Sequence, residues 1–137
     1  SGCDRTLKAM NRHYSSEEYA EIVSKLRSAF ENCAITTDIM VGFPDETEDD
    51  FEKSYNFVKK MNFSQAHIFP YSRREGTIAY KMENQVNESV KNERAKKMAE
   101  ITTKSHIEFM KSHINGVYPV LFEREQSTEF HNGHTPD

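Results

Sequence analysis

Ala34-Ile35-Thr36-Thr37-Asp38-Ile39-Met40-Val41 runs into Gly42-Phe43-Pro44-Asp45-Glu46 and then into Thr47-Glu48-Asp49-Asp50-Phe51. The first eight residues are rich in β-branched side chains and read as a buried strand. Pro44 closes the extended run, because proline has no N–H to give to a ladder. Thr47 and Asp50 have the spacing of a capping box, in which each side chain satisfies a free amide at a helix start. Phe51, Tyr55, Val58 and Met61 continue at helical spacing, so a helix is predicted to about residue 61. A strand that turns through a glycine-containing loop into a helix N-terminus is where α/β proteins place ligands. Gly42 permits close approach to the backbone, and free peptide groups at Val41 to Phe43 suit an adenine edge. The plainer alternative is a tight βα turn with a well-capped helix. Glu46, Glu48, Asp49 and Asp50 complement the helix dipole there, and the same charge argues against a phosphate.

Outward from this segment the pattern repeats. Asp4 to Asn11, with Leu7 and Met10 three apart, suits one or two helical turns. Ser15 and Glu18 form another capping box, and Tyr19, Ile22, Val23, Leu26 and Phe30 define an amphipathic helix over residues 16–30. On the other side, Gln65-Ala66-His67-Ile68-Phe69 is a second strand, closed by Pro70. Helix, strand, helix, strand with short connections implies an α/β fold with a parallel sheet. Tyr71 to Met82 reads as a loop. Residues 87–113 read as one long charged helix with Val90, Met98, Ile101 and Phe109 along a stripe, ended by Asn115-Gly116. A strand of different character is expected over 116–123, followed by a polar tail. Two parallel strands do not finish such a sheet, so the chain is expected to be an incomplete piece: part of a larger α/β body plus the first strand of another domain.

Composition narrows the function classes. In 137 residues, 18 Lys and Arg stand against 22 Asp and Glu, for a formal net charge of −4. Nucleic-acid binding by bulk positive charge is excluded, although a local basic patch is not. No apolar run approaches the length of a membrane span, and the expected class is soluble, cytoplasmic and globular. The two cysteines, Cys3 and Cys33, supply neither a disulfide framework nor a four-thiolate metal site.

Tyr71-Ser72-Arg73-Arg74-Glu75-Gly76-Thr77 follows the second strand at its carboxyl end. Arg73 and Arg74 can grip phosphates and Tyr71 can stack on a base; surface ion pairing is the alternative. Arg12, beside His13 and Tyr14, is placed near the same rim. His131 and His134 lack the surrounding ligands of a zinc site, His67 reads as core or rim, and no nucleophile–base arrangement for acyl transfer is present.

Thr37-Asp38-x-x-Val41-Gly42-Phe43-Pro44-x-Glu46-Thr47-x-x-Asp50-Phe51 resembles the signature of the radical S-adenosylmethionine methylthiotransferases. So do the opening Ser1-Gly2 with Leu7-Lys8-x-Met10-x-Arg12-x-Tyr14, Phe69-Pro70-Tyr71-Ser72-Arg73-Arg74-Glu75-Gly76-Thr77 with Ala79, Lys81 and Met82, Gln85-Val86, and Lys91-Asn92-Glu93-Arg94. The Phe-Pro-Tyr-Ser-Arg-Arg form and the Lys-Asn-Glu-Arg helix are most similar to the MtaB branch. That branch modifies N6-threonylcarbamoyladenosine at tRNA position 37, beside the anticodon. The resemblance covers nearly the whole chain. It departs at Asp45, where the family usually has glycine, and the turn is expected to survive because Asp tolerates positive φ better than most residues. It also lacks the family's Cys-x3-Cys-x2-Cys cluster motif and its N-terminal domain.

The resemblance implies the later part of a TIM-like partial barrel over residues 1–82, a connecting helix over 83–115, and the start of a TRAM RNA-binding β-barrel over 116–137. Asn132-Gly133-His134-Thr135 is similar to that module's Gly-x-Thr element. It implies S-adenosylmethionine and two [4Fe–4S] clusters in a full-length parent, their ligands outside this chain, and a tRNA anticodon loop as partner. In that chemistry a 5′-deoxyadenosyl radical removes hydrogen from C2 of the adenine, a methylthio group is attached there, and the sulfur donor is unspecified. Val41, Gly42, Phe43 and Pro44 would line the cofactor site, with Arg12 at its polar end. Tyr71, Arg73 and Arg74 would contact tRNA. No residue here is expected to be catalytic or to bind metal, and the piece alone is expected to be inactive. The alternatives are another modified adenosine or a ribosomal protein as substrate, a non-catalytic RNA-binding module, and an unrelated α/β-barrel enzyme without iron.

Overall fold

The computed structural model describes residues 1–123 and 131–135. Helix α1 spans Asp4–Ala9 and α2 spans Ser16–Ala29. The Ser15–Glu18 capping box forms in full: the Glu18 amide donates to Ser15 Oγ and the Ser15 amide to the Glu18 carboxylate. Strand β1, Thr36–Val41, leads through residues 42–47 to α3, Glu48–Met61, which carries the second expected box between Thr47 and Asp50. Helix α3 ends on Asn62 in the left-handed region, and Arg27 donates to the carbonyls of Met61 and Asn62 at 2.6 and 2.8 Å. A cationic donor at free C-terminal carbonyls is favourable.

Strand β2, Gln65–Pro70, pairs with β1 in parallel, with Thr36 opposite Gln65 and Val41 opposite Pro70. The expected two-strand parallel arrangement is therefore present. One face of the pair carries Ile39, Val41, Ala66 and Ile68 and packs on Val23, Phe51, Val58, Met61 and Met98 from three helices. Phe51 and Met98 are fully buried there. No described element covers the opposite face. Asp38 and Met40 on β1, and His67 and Phe69 on β2, are exposed on it. The reading of this segment as a buried strand is corrected to burial on one face, since only its odd-numbered positions Thr37, Ile39 and Val41 face helices. Alternation was hidden in the sequence because Met40 on the open face is as apolar as its neighbours.

Three further differences are local. Ile78–Lys81 forms a one-turn helix, α4, where a loop was expected; Thr77 caps it by accepting from the Tyr80 amide. Helix α5 covers Glu88–Ser112, but its buried positions are Lys91, Arg94, Met98 and Thr102 rather than the purely apolar stripe. Asn115 follows with φ 67°, consistent with the stop signal. The strand expected over 116–123 is confined to β3, Leu121–Phe122, which pairs antiparallel with β4, Gly133–His134. The rest of the expected terminal domain, at 124–130 and 136–137, lies outside the described residues.

Candidate functional site

The loop between β1 and α3 opens at the carboxyl ends of both parallel strands. Gly42 has φ +71°, and a Cβ built on it would lie 2.2 Å from Cγ of Lys91. Glycine is required here because a side chain from α5, rather than a ligand, lies against the backbone. Asp45 also has positive φ, 66°, so the turn expected to survive without a glycine at this position is formed. Asn84 holds that residue from both sides: its Nδ2 donates to Asp45 Oδ1 at 2.6 Å and its carbonyl accepts the Asp45 amide at 2.9 Å.

The loop's peptide groups are engaged within the chain. The Gly42 amide donates to Glu46 Oε1 at 2.8 Å. The Val41 carbonyl accepts from the Tyr71 amide at 2.8 Å, and the Phe43 carbonyl accepts from the Glu46 amide at 3.0 Å. The expectation that peptide groups at Val41 to Phe43 stand free for an adenine edge is corrected for these three groups. Val41, Phe43 and Pro44 are buried, so their side chains support the loop from below.

The acids at the helix start have more specific work than complementing a dipole. Glu46 is buried and accepts from Arg94 Nη1 at 2.9 Å, while Arg94 Nη2 reaches Glu48 Oε2 at 3.0 Å and Nη1 reaches the Glu46 carbonyl at 3.1 Å. Burial pushes the Glu46 carboxyl upward from its ordinary value, opposed in part by the Gly42 amide and by Arg94. Asp50 receives Arg5 Nε at 3.0 Å on each oxygen, the Thr47 amide at 2.9 Å and the Cys3 thiol at 3.3 Å. The Arg5 contact holds this carboxyl well below the usual carboxylate range, with the bonds from Thr47 and Cys3 adding to it. Arg5 also donates to the Asp45 carbonyl, tying α1 to the loop.

Tyr71 is buried rather than presented for stacking. Its ring meets Phe43 edge-on, with centroids 5.3 Å apart, and Lys91 Nζ lies 5.8 Å from its centroid. Its hydroxyl is buried with no hydrogen-bond partner among the described residues. The expectation of base stacking by this ring is therefore corrected for the structure as it stands. Arg73 Nε and Nη2 donate to the Tyr80 carbonyl at 3.0 and 2.8 Å, and its guanidinium stacks on the Tyr80 ring. Arg74 is exposed and lines an open groove with Met40, Phe69, Pro70, Ser72 and Thr77. Arg12 is exposed after α1, its amide closing that helix on the Leu7 carbonyl. Sequence reasoning missed Met40 and Phe69, side by side on the open face, and the loop contacts of Lys91 and Arg94. The 3-4-3 spacing of 91, 94, 98 and 101 puts both cations on the helix face of Met98, but nothing local names their partners in the loop.

The open groove in this region has apolar side chains of the kind a nucleoside base can pack against. Met40 and Phe69 give it an apolar wall, and Tyr71 lines the same groove with its hydroxyl buried. An iron–sulfur cluster does not fit the residues present. Among the described residues no group of three or more His, Cys, Asp or Glu is placed to hold a metal, and Cys3 is buried against Asp50. No described helix is long and apolar enough to cross a membrane.

Residues 1–58 match the model of the Radical SAM superfamily. The chain is 44% identical over 129 residues to the tRNA-2-methylthio-N(6)-dimethylallyladenosine synthase of Clostridium tetani (strain Massachusetts / E88), covering 94% of this chain and 28% of that protein. It is 42% identical over 123 residues to the threonylcarbamoyladenosine tRNA methylthiotransferase MtaB of Bacillus subtilis (strain 168), covering 90% of this chain and 27% of that protein. The chain thus spans 28% and 27% of the length of these two relatives.

Proposed function

We propose, the chain being a relative of the radical SAM tRNA methylthiotransferases, that it forms one wall of the cofactor and substrate chamber in an enzyme that places a methylthio group on C2 of a tRNA adenosine. The observation that carries this reading is the uncovered sheet face. Asp38, Met40, His67 and Phe69 lie open to solvent beside the loop at the strand ends, which is where parallel α/β enzymes bind their ligands. S-adenosylmethionine, bound there, would supply the radical and the transferred methyl group; the cluster ligands belong to residues other than these. Within this chain, Val41 to Pro44 shape the loop that faces the cofactor, Arg12 offers an exposed cation at its polar end, and Arg74 is the groove cation available to tRNA phosphate. Arg73 and Tyr71 act behind it, by holding the Tyr71–Lys81 segment.

The favoured substrate is N6-threonylcarbamoyladenosine at position 37, in the anticodon loop. The Phe69-Pro70-Tyr71-Ser72-Arg73-Arg74 form and the relative from Bacillus subtilis support it. A second reading, N6-dimethylallyladenosine, is supported by the relative from Clostridium tetani. Deleting the gene in its host and analysing tRNA nucleosides by mass spectrometry tests both. Loss of the methylthio form of threonylcarbamoyladenosine is expected. Loss of the dimethylallyl form instead supports the second reading, and an unchanged methylthio profile contradicts both. The working site is cytoplasmic, where the tRNA pool is.

A further inference from the structure

Helix α5 brings two buried cations to one loop. The side chains of Lys91 and Arg94 keep only 5% and 6% of their surface. Burying a charge is costly, and a packed apolar pair in place of a whole buried ion pair is often as stable or more so. Their presence is better explained by geometry than by stability. The Lys91 stem lies against Gly42, and its Nζ donates to the Tyr71 carbonyl at 3.0 Å and also reaches Glu88. Lys91 therefore joins the loop after β1 to the segment after β2. Arg94 fixes the Glu46 carboxylate from one side while the Gly42 amide binds the same oxygen from the other, at 2.9 and 2.8 Å.

We propose that Lys91 and Arg94 are positioning residues, which set the backbone course of the Gly42–Glu46 loop from one turn of α5. The proposal rests on the reading above for what the loop faces, but not for the positioning itself. Neither cation needs to touch a ligand. Each acts through a loop atom: Lys91 through the Gly42 backbone and the Tyr71 carbonyl, Arg94 through Glu46. The planar guanidinium reaches both Glu46 and Glu48, a geometry that an ammonium cannot reproduce.

The test uses the full product of the gene carrying Arg94→Gln, Arg94→Lys or Lys91→Met, compared with Met98→Ala, a core change on α5 that leaves these contacts alone. Two quantities are read: hydrogen exchange at the Gly42 amide, and the dissociation constant for S-adenosylhomocysteine. Thermal midpoints provide the stability control. In Arg94→Gln, exchange at Gly42 should rise about tenfold beyond that in Met98→Ala at matched stability, and binding should weaken about tenfold. Arg94→Lys should recover only part of each, and it carries the same comparison if Arg94→Gln does not fold. Lys91→Met, which keeps the stem, should free the Tyr71 segment while leaving Gly42 exchange closer to the unmodified rate. Exchange and binding in the Arg94 variants no different from Met98→Ala would overturn the inference. If the unmodified product binds no S-adenosylhomocysteine while Arg94→Gln still frees the Gly42 amide, the cofactor reading fails and the positioning role stands.

Discussion

Arg94 Nη1 stands 2.9 Å from Glu46 Oε1, and the two side chains keep 6% and 1% of their surface. Helix α5 and the loop at the sheet mouth are therefore joined by a charge pair that water hardly reaches. Removing one partner from such a pair leaves the other buried and uncompensated, which costs about 3–5 kcal/mol. Arg94→Met should lower unfolding free energy by about that amount in urea titration. Glu46→Gln should cost less, because an amide oxygen still accepts from Gly42 and from Arg94. Combined, the two changes should cost less than their sum.

Gly42→Ala meets two separate obstacles. The positive φ costs about 1–2 kcal/mol for any L side chain, and the Cβ collides with the Lys91 stem at 2.2 Å. Overpacking adds about 1–3 kcal/mol. In a Lys91→Ala background the steric part should vanish while the backbone part remains. A double-mutant cycle by denaturant unfolding should therefore show a favourable coupling between the two substitutions.

Asp45 occupies a left-handed position that it stabilises with its own side chain, through Asn84. Asp45→Gly should change stability by no more than about 1 kcal/mol, the easier backbone offsetting the lost hydrogen bond. Asp45→Val should be clearly worse, by about 2 kcal/mol, since a β-branched residue is strained at positive φ. Thermal unfolding of the two variants separates these outcomes.

Arg5 and Asp50 set an acid limit. The Asp50 carboxyl titrates lower in the folded protein than in the unfolded chain. Its stabilising contribution is therefore complete above the unfolded value near pH 4 and is lost as pH falls through the folded one. Arg5→Ala should move the midpoint of acid unfolding to higher pH. Glu46 acts in the opposite sense, because its folded value is raised: stability from that group falls as pH climbs above the ordinary carboxylate range. Glu46→Gln should remove this second slope and leave the first.

How much of this was legible in the sequence depends on which forces act locally. Both capping boxes, the Pro70 strand end and the Asn115 stop depend on residues a few positions apart, and the structure realises each, whereas β1 already ends at Val41, where Gly42 turns to positive φ ahead of Pro44. The tolerance of Asp45 for positive φ was likewise readable from one side chain. Contacts across the fold were not. Lys91 and Arg94 look like solvent-facing charges because their partners, Gly42, Glu46 and Tyr71, lie 20–49 positions away and become neighbours only when α5 lies along the sheet. Tyr71 was misread for the same reason, since its ring is buried in edge-on contact with Phe43 and close to Lys91 Nζ. The kinship in the Gly42 motif was visible without any of this geometry.

The claim that the loop after β1 and the open sheet face form a cofactor wall is tested most directly by hydrogen exchange across the full product of the gene, with and without S-adenosylhomocysteine. Slowed exchange confined to residues 40–46 and 69–74 is the expected result, with the Arg27–Cys33 groove on the far side unchanged. Protection at that far groove, or none at either place at saturating ligand, would contradict it.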